Sequence, residues 1–281
     1  MTQPQVTAPL RPAEGVMFDL DGTLILSDHK LGQYRLLPGA VELLQELDRR
    51  GLPFVALTNG SAYPAAQQAP RLAALGLPIG ADRLFTPNSV AIGLFKDRGI
   101  RRVLVIGTPG VAAALGEEGV ATCFPGEPDE DKADAVYVAW APDCSMTDIH
   151  AACSAVLRGA AFYCASDVPF FATQQGPAFG YSCAIAGAIV RVTGVEPELT
   201  GKPSQHALNF VAGRLGVAPE RVAVIGDDPR VEIEMARGGG ALGIGVTTGT
   251  TSREQWAAQD EARRPHHVID SLNELIPLGV I

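Results

Sequence analysis

The sequence predicts an α/β protein built on a parallel sheet. Two observations predict it. Short apolar runs end repeatedly in Gly, Asp, Asn or Thr, and helix-like segments lie between them. Apolar strands that alternate with helices read as βαβ units, whose strands pair in parallel and are covered on both faces. No repeat of fixed period and no low-complexity tract interrupts this pattern.

The elements follow in order. Residues 1–13 are polar and contain proline, lack an apolar signal core, and read as a short disordered lead-in rather than a signal peptide. "GVMFDLD" from Gly15 is an apolar strand with a turn behind it. "PGAVELLQELDRRG" is an amphipathic helix: Val41, Leu44 and Leu47 share a face, Pro38 stands just before it, Arg49 and Arg50 suit its negative end, and Gly51 stops it. "LPFVALTNGS", "RRVLVIGTPG", "DAVYVAWA", "RVAVIGDDP" and "ALGIGVTTG" repeat the strand-and-turn pattern.

The composition excludes several classes. With 281 residues, 47% of them hydrophobic, the chain suffices for one large or two ordinary domains with a real core. A formal net charge of −9 argues against a nucleic-acid footprint, which needs a basic face. No apolar run approaches the roughly 18 residues that cross a bilayer. Cys123, Cys144, Cys153, Cys164 and Cys183 are odd in number and form no CxxC pair, so they read as small buried hydrophobes in a reducing, cytoplasmic setting. His29, His150 and His206 are isolated, and His266–His267 has no carboxylate at ligand spacing.

In open parallel sheets, ligands bind beyond the carboxyl ends of the strands. The polar ends here are "DLDGT", "TNGS", "GKPS" and "GDDP". Each alone is an ordinary turn; four in one sheet suggest a site. Asp19 and Asp21 flank a single leucine. Like charges about 4 Å apart repel by roughly 1 kcal/mol in water and by more in a drier cleft. Such a pair shares a proton or binds a cation, and an all-oxygen set suits Mg²⁺. Asp227 offers a third carboxylate. An aspartate can attack phosphorus and form an aspartyl phosphate, provided that a divalent cation and a lysine, here Lys202, offset the repulsion from the phosphate dianion. The Thr58 hydroxyl, Asn59 and the free N–H groups of Gly60 and Ser61 suit phosphate oxygens. Asp21 is then left to act as acid to the leaving oxygen and as base to water.

These four segments, in this order and context, resemble the motifs of the haloacid dehalogenase-like hydrolases. The resemblance covers about half the chain. It implies Asp19 as nucleophile and magnesium ligand, and Asp21 as acid/base with its backbone carbonyl on the metal. It implies Thr58 and Lys202 on the phosphate, and Asp227 on the metal. The family's fourth motif often carries another aspartate five residues after the first. Here that position is Glu232, with Asp228 as the alternative for the same supporting role. A phosphotransferase or mutase on this core, or a non-catalytic phosphate-binding relative, are the competing readings. The mutase pattern places its insertion elsewhere, and a non-catalytic member is expected to lose Asp19, Asp21 or Lys202. A receiver-like module is far shorter.

The spacing locates an insertion. Asp19 and Thr58 are 39 residues apart, which leaves room for a helix and a strand, whereas Thr58 and Lys202 are 144 apart. The expected architecture is a Rossmann-like core, residues 14–82 and 181–281, with an inserted α/β cap at 83–180. This placement resembles the C2-capped branch, which contains NagD-like, para-nitrophenyl, pyridoxal-phosphate and phosphoglycolate phosphatases. Within the cap, "VLVIGTPGVAAAL" lacks the GxGxxG spacing of a dinucleotide site and reads as an ordinary strand–helix turn. "TTSRE" reads as a capping box between Thr251 and Glu254. A large cap excludes water and limits substrate size, so the expected substrate is a small phosphomonoester: a nucleotide, pyridoxal phosphate, phosphoglycolate or a sugar phosphate. Asp167 in "ASDVPFF" is a candidate substrate contact, with a plain turn aspartate as the competing reading. The resemblance also implies a homodimer through the cap, with no interface legible in the sequence.

Overall fold

The computed structural model describes residues 12–28, 33–171, 173–279 and 281. His29 and residues 1–11 of the expected lead-in lie outside the described residues. Ala13 is buried against the core.

The chain runs β1 (Gly15–Phe18), β2 (Ile25–Ser27), β3 (Tyr34–Leu36), α1 (Ala40–Arg50), β4 (Phe54–Leu57), α2 (Ala65–Ala74) and β5 (Leu84–Phe85). It continues through α3 (Pro87–Asp97), β6 (Arg102–Ile106), α4 (Pro109–Glu117), β7 (Ala121–Cys123), β8 (Ala135–Val138), α5 (Met146–Leu157) and β9 (Ala161–Cys164). Then come β10 (Phe170–Phe171), β11 (Ala178–Phe179), α6 (Tyr181–Thr193), β12 (Glu198–Leu199), α7 (Gln205–Leu215), β13 (Val222–Gly226), α8 (Glu234–Gly238), β14 (Leu242–Val246), α9 (Arg253–Ala257) and β15 (His267–Ile269). No described helix is long and apolar enough to cross a membrane.

Among the described residues the first sheet is ordered β15-β14-β13-β1-β4-β5, and every pairing in it is parallel. Alternate residues point to opposite faces. Val16, Phe18, Ala223 and Ile225 meet Leu44 and Leu47 of α1 on one side. Met17, Val222 and Val224 meet Leu208 and Val211 of α7 on the other. Both faces are covered, which explains the unbroken apolar runs. Each fully buried aliphatic side chain contributes about 1.5–3 kcal/mol of transfer free energy. The α1 helix ends as its sequence indicates, with Gly51 at φ 69°.

The second sheet, β12-β9-β8-β6-β7, is also parallel. Leu104 and Ile106 pack with α5 and α6. Val103 and Val105 pack with Phe95 of α3 and Leu115 of α4. The joints therefore fall elsewhere than 83 and 180. Leu84–Phe85 pairs with β4 in the first sheet. At the other end, Ile185 and Ile189 of α6 lie in the core of the second sheet, and Glu198–Leu199 pairs with β9. The inserted unit thus runs from α3 to β12.

Two small antiparallel hairpins complete the fold. β2–β3 follows the first strand of the core, and β10–β11 leaves the inserted unit after β9. The capping box near the C-terminus sits one residue later than expected. Ser252 caps α9 and exchanges hydrogen bonds with Gln255, not Thr251 with Glu254.

Candidate active site

Sheet order assembles the site. β1 lies between β13 and β4, all parallel, so Asp19, Asp227 and Thr58, each just past its strand, emerge side by side at one edge. Lys202 arrives at the end of the inserted unit, three residues after β12. The cleft so formed is lined below by Asp19, Asp21, Asp227 and Lys202, and above by Trp140, Phe170, Phe171 and Tyr181.

Lys202 is fully buried. Its Nζ pairs with Oδ1 of Asp19 and, at 2.7 Å, with Oε1 of Glu232. Burial pushes an ammonium toward neutrality, but these two carboxylates outweigh it and hold the Lys202 pKa above the usual lysine range. Burial likewise raises the Glu232 carboxyl well above its ordinary range, against the pull of Lys202. The family's departure at this position has a local explanation. Residues Pro229–Ile233 form one turn of π-helix, and the strand beneath ends in Gly226. The longer glutamate crosses that bare backbone. Asp228 also lines the cleft, but its Oδ1 caps the turn by accepting from Arg230 N at 2.8 Å, while its own N–H donates to Glu232 at 3.2 Å. Glu232 is thus the partner of the lysine, and Asp228 braces the turn.

Asn59, expected on the phosphate, lines the cleft and is engaged by the backbone of Lys202. Its Nδ2 donates to the carbonyl oxygen of Lys202 and its Oδ1 accepts from Lys202 N–H, each at 2.8 Å. The side-chain amide thereby fixes the backbone that carries the lysine. Next to it, Gly201 donates to the Ala165 carbonyl at 3.0 Å. A Cβ on Gly201 would lie 2.3 Å from that oxygen and 2.5 Å from Asn59 Oδ1. The Gly60 N–H is also occupied, donating to Thr58 Oγ1 at 2.9 Å. Ser61 Oγ accepts from Trp140 N at 2.9 Å, which ties this loop to the inserted unit.

The two flanking carboxylates differ in surroundings. Asp21 turns toward β2, where Oδ1 accepts from the Ser27 hydroxyl and, at 3.1 Å, from the Ser27 N–H. Burial, followed by the charge of Asp19, outweighs those hydrogen bonds and pushes Asp21 up to about 7. Asp227 accepts from Thr250 N at 2.7 Å. Burial and then Asp19 push it up to about 7 as well. Asp227 sits in a cradle with no room for side chains: a Cβ on Gly249 would lie 2.0 Å, and one on Gly22 2.4 Å, from its Oδ2. Gly22 also has φ 92°, which a glycine adopts at no steric cost.

Among the described residues, no three His, Cys, Asp or Glu side chains converge as a closed metal cage. The expected three-carboxylate set is therefore narrower, because the Asp21 side chain faces Ser27. The oxygens that the family resemblance would give to a cation are the carboxylates of Asp19 and Asp227 and the main-chain carbonyl of Asp21. Burial and then the charge of Asp19 raise both Asp21 and Asp227, so negative charge is crowded at this strand edge. A hard divalent cation among these oxygens relieves it.

Asp167 is exposed and does not line the cleft; its neighbours Ser166 and Val168 do. Ser27, Thr250 and the aromatic wall went unnoticed in the sequence. Trp140 carried the one available signal, a large aromatic directly after the "AVYVA" strand. The ring of Tyr181 stands edge-on to Trp140, with centroids 4.8 Å apart. The cysteines are unpaired, with Cys144 and Cys183 half-buried. His206 pairs with Glu198 and His266 accepts from Gly243 N, both away from the cleft.

Comparisons with known proteins agree with this arrangement. A family model described as haloacid dehalogenase-like hydrolase matches residues 16–121, and a HAD-hydrolase-like model matches 199–275. Both stop short of most of the inserted unit. A 5'-nucleotidase, YutF, from Bacillus subtilis is 28% identical over 269 residues, covering 95% of this chain and 99% of that one. The structure of a p-nitrophenyl phosphatase from Archaeoglobus fulgidus superposes with a TM-score of 0.83 at 25% identity, over 95% of this chain and 99% of the other. A glycerol phosphate phosphatase from Mycobacterium tuberculosis, solved in complex with magnesium, gives 0.81 at 25% identity, over 94% and 76%.

Proposed function

The chain belongs to the haloacid dehalogenase-like hydrolases as a phosphatase of small phosphorylated metabolites, and from that premise we propose that it cleaves phosphomonoesters in two steps through an aspartyl phosphate on Asp19. The observation that carries this reading is the pairing of Asp19 Oδ1 with buried Lys202, which leaves the nucleophile fixed at the strand end with a cation beside it. The proposed cation is magnesium, held by Asp19, Asp227 and the carbonyl of Asp21; when bound it offsets the charge of the phosphate dianion. The magnesium in the mycobacterial glycerol phosphate phosphatase supports this choice.

In the first step a carboxylate oxygen of Asp19 forms a bond to phosphorus. The bond from phosphorus to the ester oxygen breaks, its electron pair stays on that oxygen, and Asp21 gives it a proton. In the second step Asp21 takes a proton from water as the water oxygen attacks phosphorus, and the bond to Asp19 breaks. Lys202 stabilises charge on the transferring group, and Thr58 offers its hydroxyl.

The cleft also bears on the substrate. Trp140, Phe170, Phe171 and Tyr181 form its upper wall, and among the described lining residues Lys202 is the one cation. A flat, uncharged leaving group fits that wall. A second anionic group, as in phosphoglycolate, would find no partner there. The name of the Archaeoglobus relative, a p-nitrophenyl phosphatase, accords with a ring in this position. A panel of phosphomonoesters assayed for phosphate release with Mg²⁺ tests both levels. Activity that survives a chelator overturns the metal assignment, and a preference for phosphoglycolate over aryl esters overturns the leaving group.

A further inference from the structure

The two small hairpins meet beside the cleft, and their contact runs directly to Asp21. The β10–β11 turn is braced internally: the Thr173 hydroxyl accepts from Gln175 N at 3.3 Å, and the Thr173 carbonyl accepts from Gly176 N at 3.2 Å. From that turn Gln174 reaches the core. Its backbone N–H donates to Ser27 O at 2.8 Å. Its side-chain amide donates to Leu26 O at 3.0 Å and to Gln33 O at 3.4 Å, so it grips both sides of the β2–β3 hairpin.

The peptide between Leu26 and Ser27 is the link. Its carbonyl accepts from Gln174, and its N–H donates to Asp21 Oδ1 at 3.1 Å. A peptide held at its oxygen is polarised so that its N–H is a stronger donor, and its plane is fixed. Ser27 is fully buried and adds its hydroxyl to the same carboxylate oxygen. Gln174 is exposed and belongs to the inserted unit's hairpin rather than to the core.

We propose that Gln174 is a positioning residue for proton transfer: seated on the Leu26–Ser27 peptide, it aims the Asp21 carboxyl at the leaving oxygen. This rests on the acid/base role given to Asp21 above. A hairpin that is unseated leaves the Leu26–Ser27 peptide free to tilt, and Asp21 keeps only the serine hydroxyl.

The test separates proton transfer from general damage. p-Nitrophenolate leaves without a proton, whereas an alkoxide such as that from benzyl phosphate must receive one as the bond to phosphorus breaks. The quantity kcat/KM ends at departure of the leaving group, the step that needs the proton. Wild type, Gln174→Ala and Gln174→Glu, the last keeping length but losing the amide donor, are compared on both esters with Mg²⁺. The expected result for both variants is a loss of about tenfold on benzyl phosphate, a fraction of the roughly 10²–10⁴ that a positioned acid supplies, with less than about threefold on p-nitrophenyl phosphate. Equal losses on the two esters, or no loss on either, overturn the proposal while leaving the phosphatase reading intact. A wild type inert on both esters overturns that reading and this proposal with it.

Discussion

A Cβ on Gly226 would lie 2.0 Å from Cγ of Glu232. The glycine and the glutamate share one volume, and the bare end of β13 lets a carboxylate one methylene longer than aspartate reach Lys202 at 2.7 Å. Gly226→Ala is therefore expected to displace Glu232 and leave the buried lysine paired on one side. Forced repacking of this kind costs about 1–3 kcal/mol. Thermal unfolding should show the loss, and phosphate release should fall with it. An alanine variant with unchanged melting temperature and rate would contradict the shared volume.

Asp19→Asn should abolish turnover, by at least a factor of about 10³, because an amide oxygen does not form the phosphoenzyme. The fold should survive. Lys202 keeps Glu232, and the repulsion of Asp19 on Asp21 and Asp227 disappears. Circular dichroism and melting temperature near those of wild type, together with loss of phosphate release, are the expected pair of results.

Stability should depend on pH in the direction set by Asp227. Its carboxyl is pushed from 3.8 up to about 7 by burial and by Asp19. The folded protein then holds a proton that the unfolded chain has already released. Stability from this group is full below about pH 4 and is lost as pH rises toward 7, by about 1.4 kcal/mol per pH unit for each such proton. In chelator the melting temperature should therefore fall between about pH 4 and 7. Asp227→Asn should flatten that fall, and Mg²⁺ should restore stability at pH 8 by binding the ionised form. A metal-free protein that gains stability over this range would show the opposite sign.

Trp140→Ala removes the ring that stands edge-on to Tyr181, while the backbone N–H that holds Ser61 remains. Aromatic pairs contribute about 0.5–1.5 kcal/mol beyond burial. The KM for p-nitrophenyl phosphate should rise by up to about tenfold, with the KM for ethyl phosphate nearly unchanged. An equal effect on both esters would remove the wall from leaving-group selection.

The strands and their four polar ends were legible because both are local. An apolar run and the turn behind it are contiguous, and parallel pairing then carries Asp19, Thr58 and Asp227 to one edge. What could not be read depends on contacts between distant short segments. The Asn59 clasp on Lys202 spans 143 positions, and the Gln174 contact with Leu26 spans 148. Neither leaves a periodic trace. The joints of the inserted unit were misplaced for a related reason. α6 is apolar enough to suit either sheet, and only its packing on α5 assigns it. The π turn that seats Glu232 likewise has no residue pattern of its own.

Gly201 marks a vertex where three stretches of chain cross, since a Cβ there would strike Ala165, Asn59 and, at 3.1 Å, Pro87. One added methyl there would move both borders of the inserted unit and the loop beside the nucleophile together. The crossing thus works as a keystone: the seating of the inserted unit on the core and the seating of the lysine backbone are a single adjustment, and neither can be changed at this point without the other.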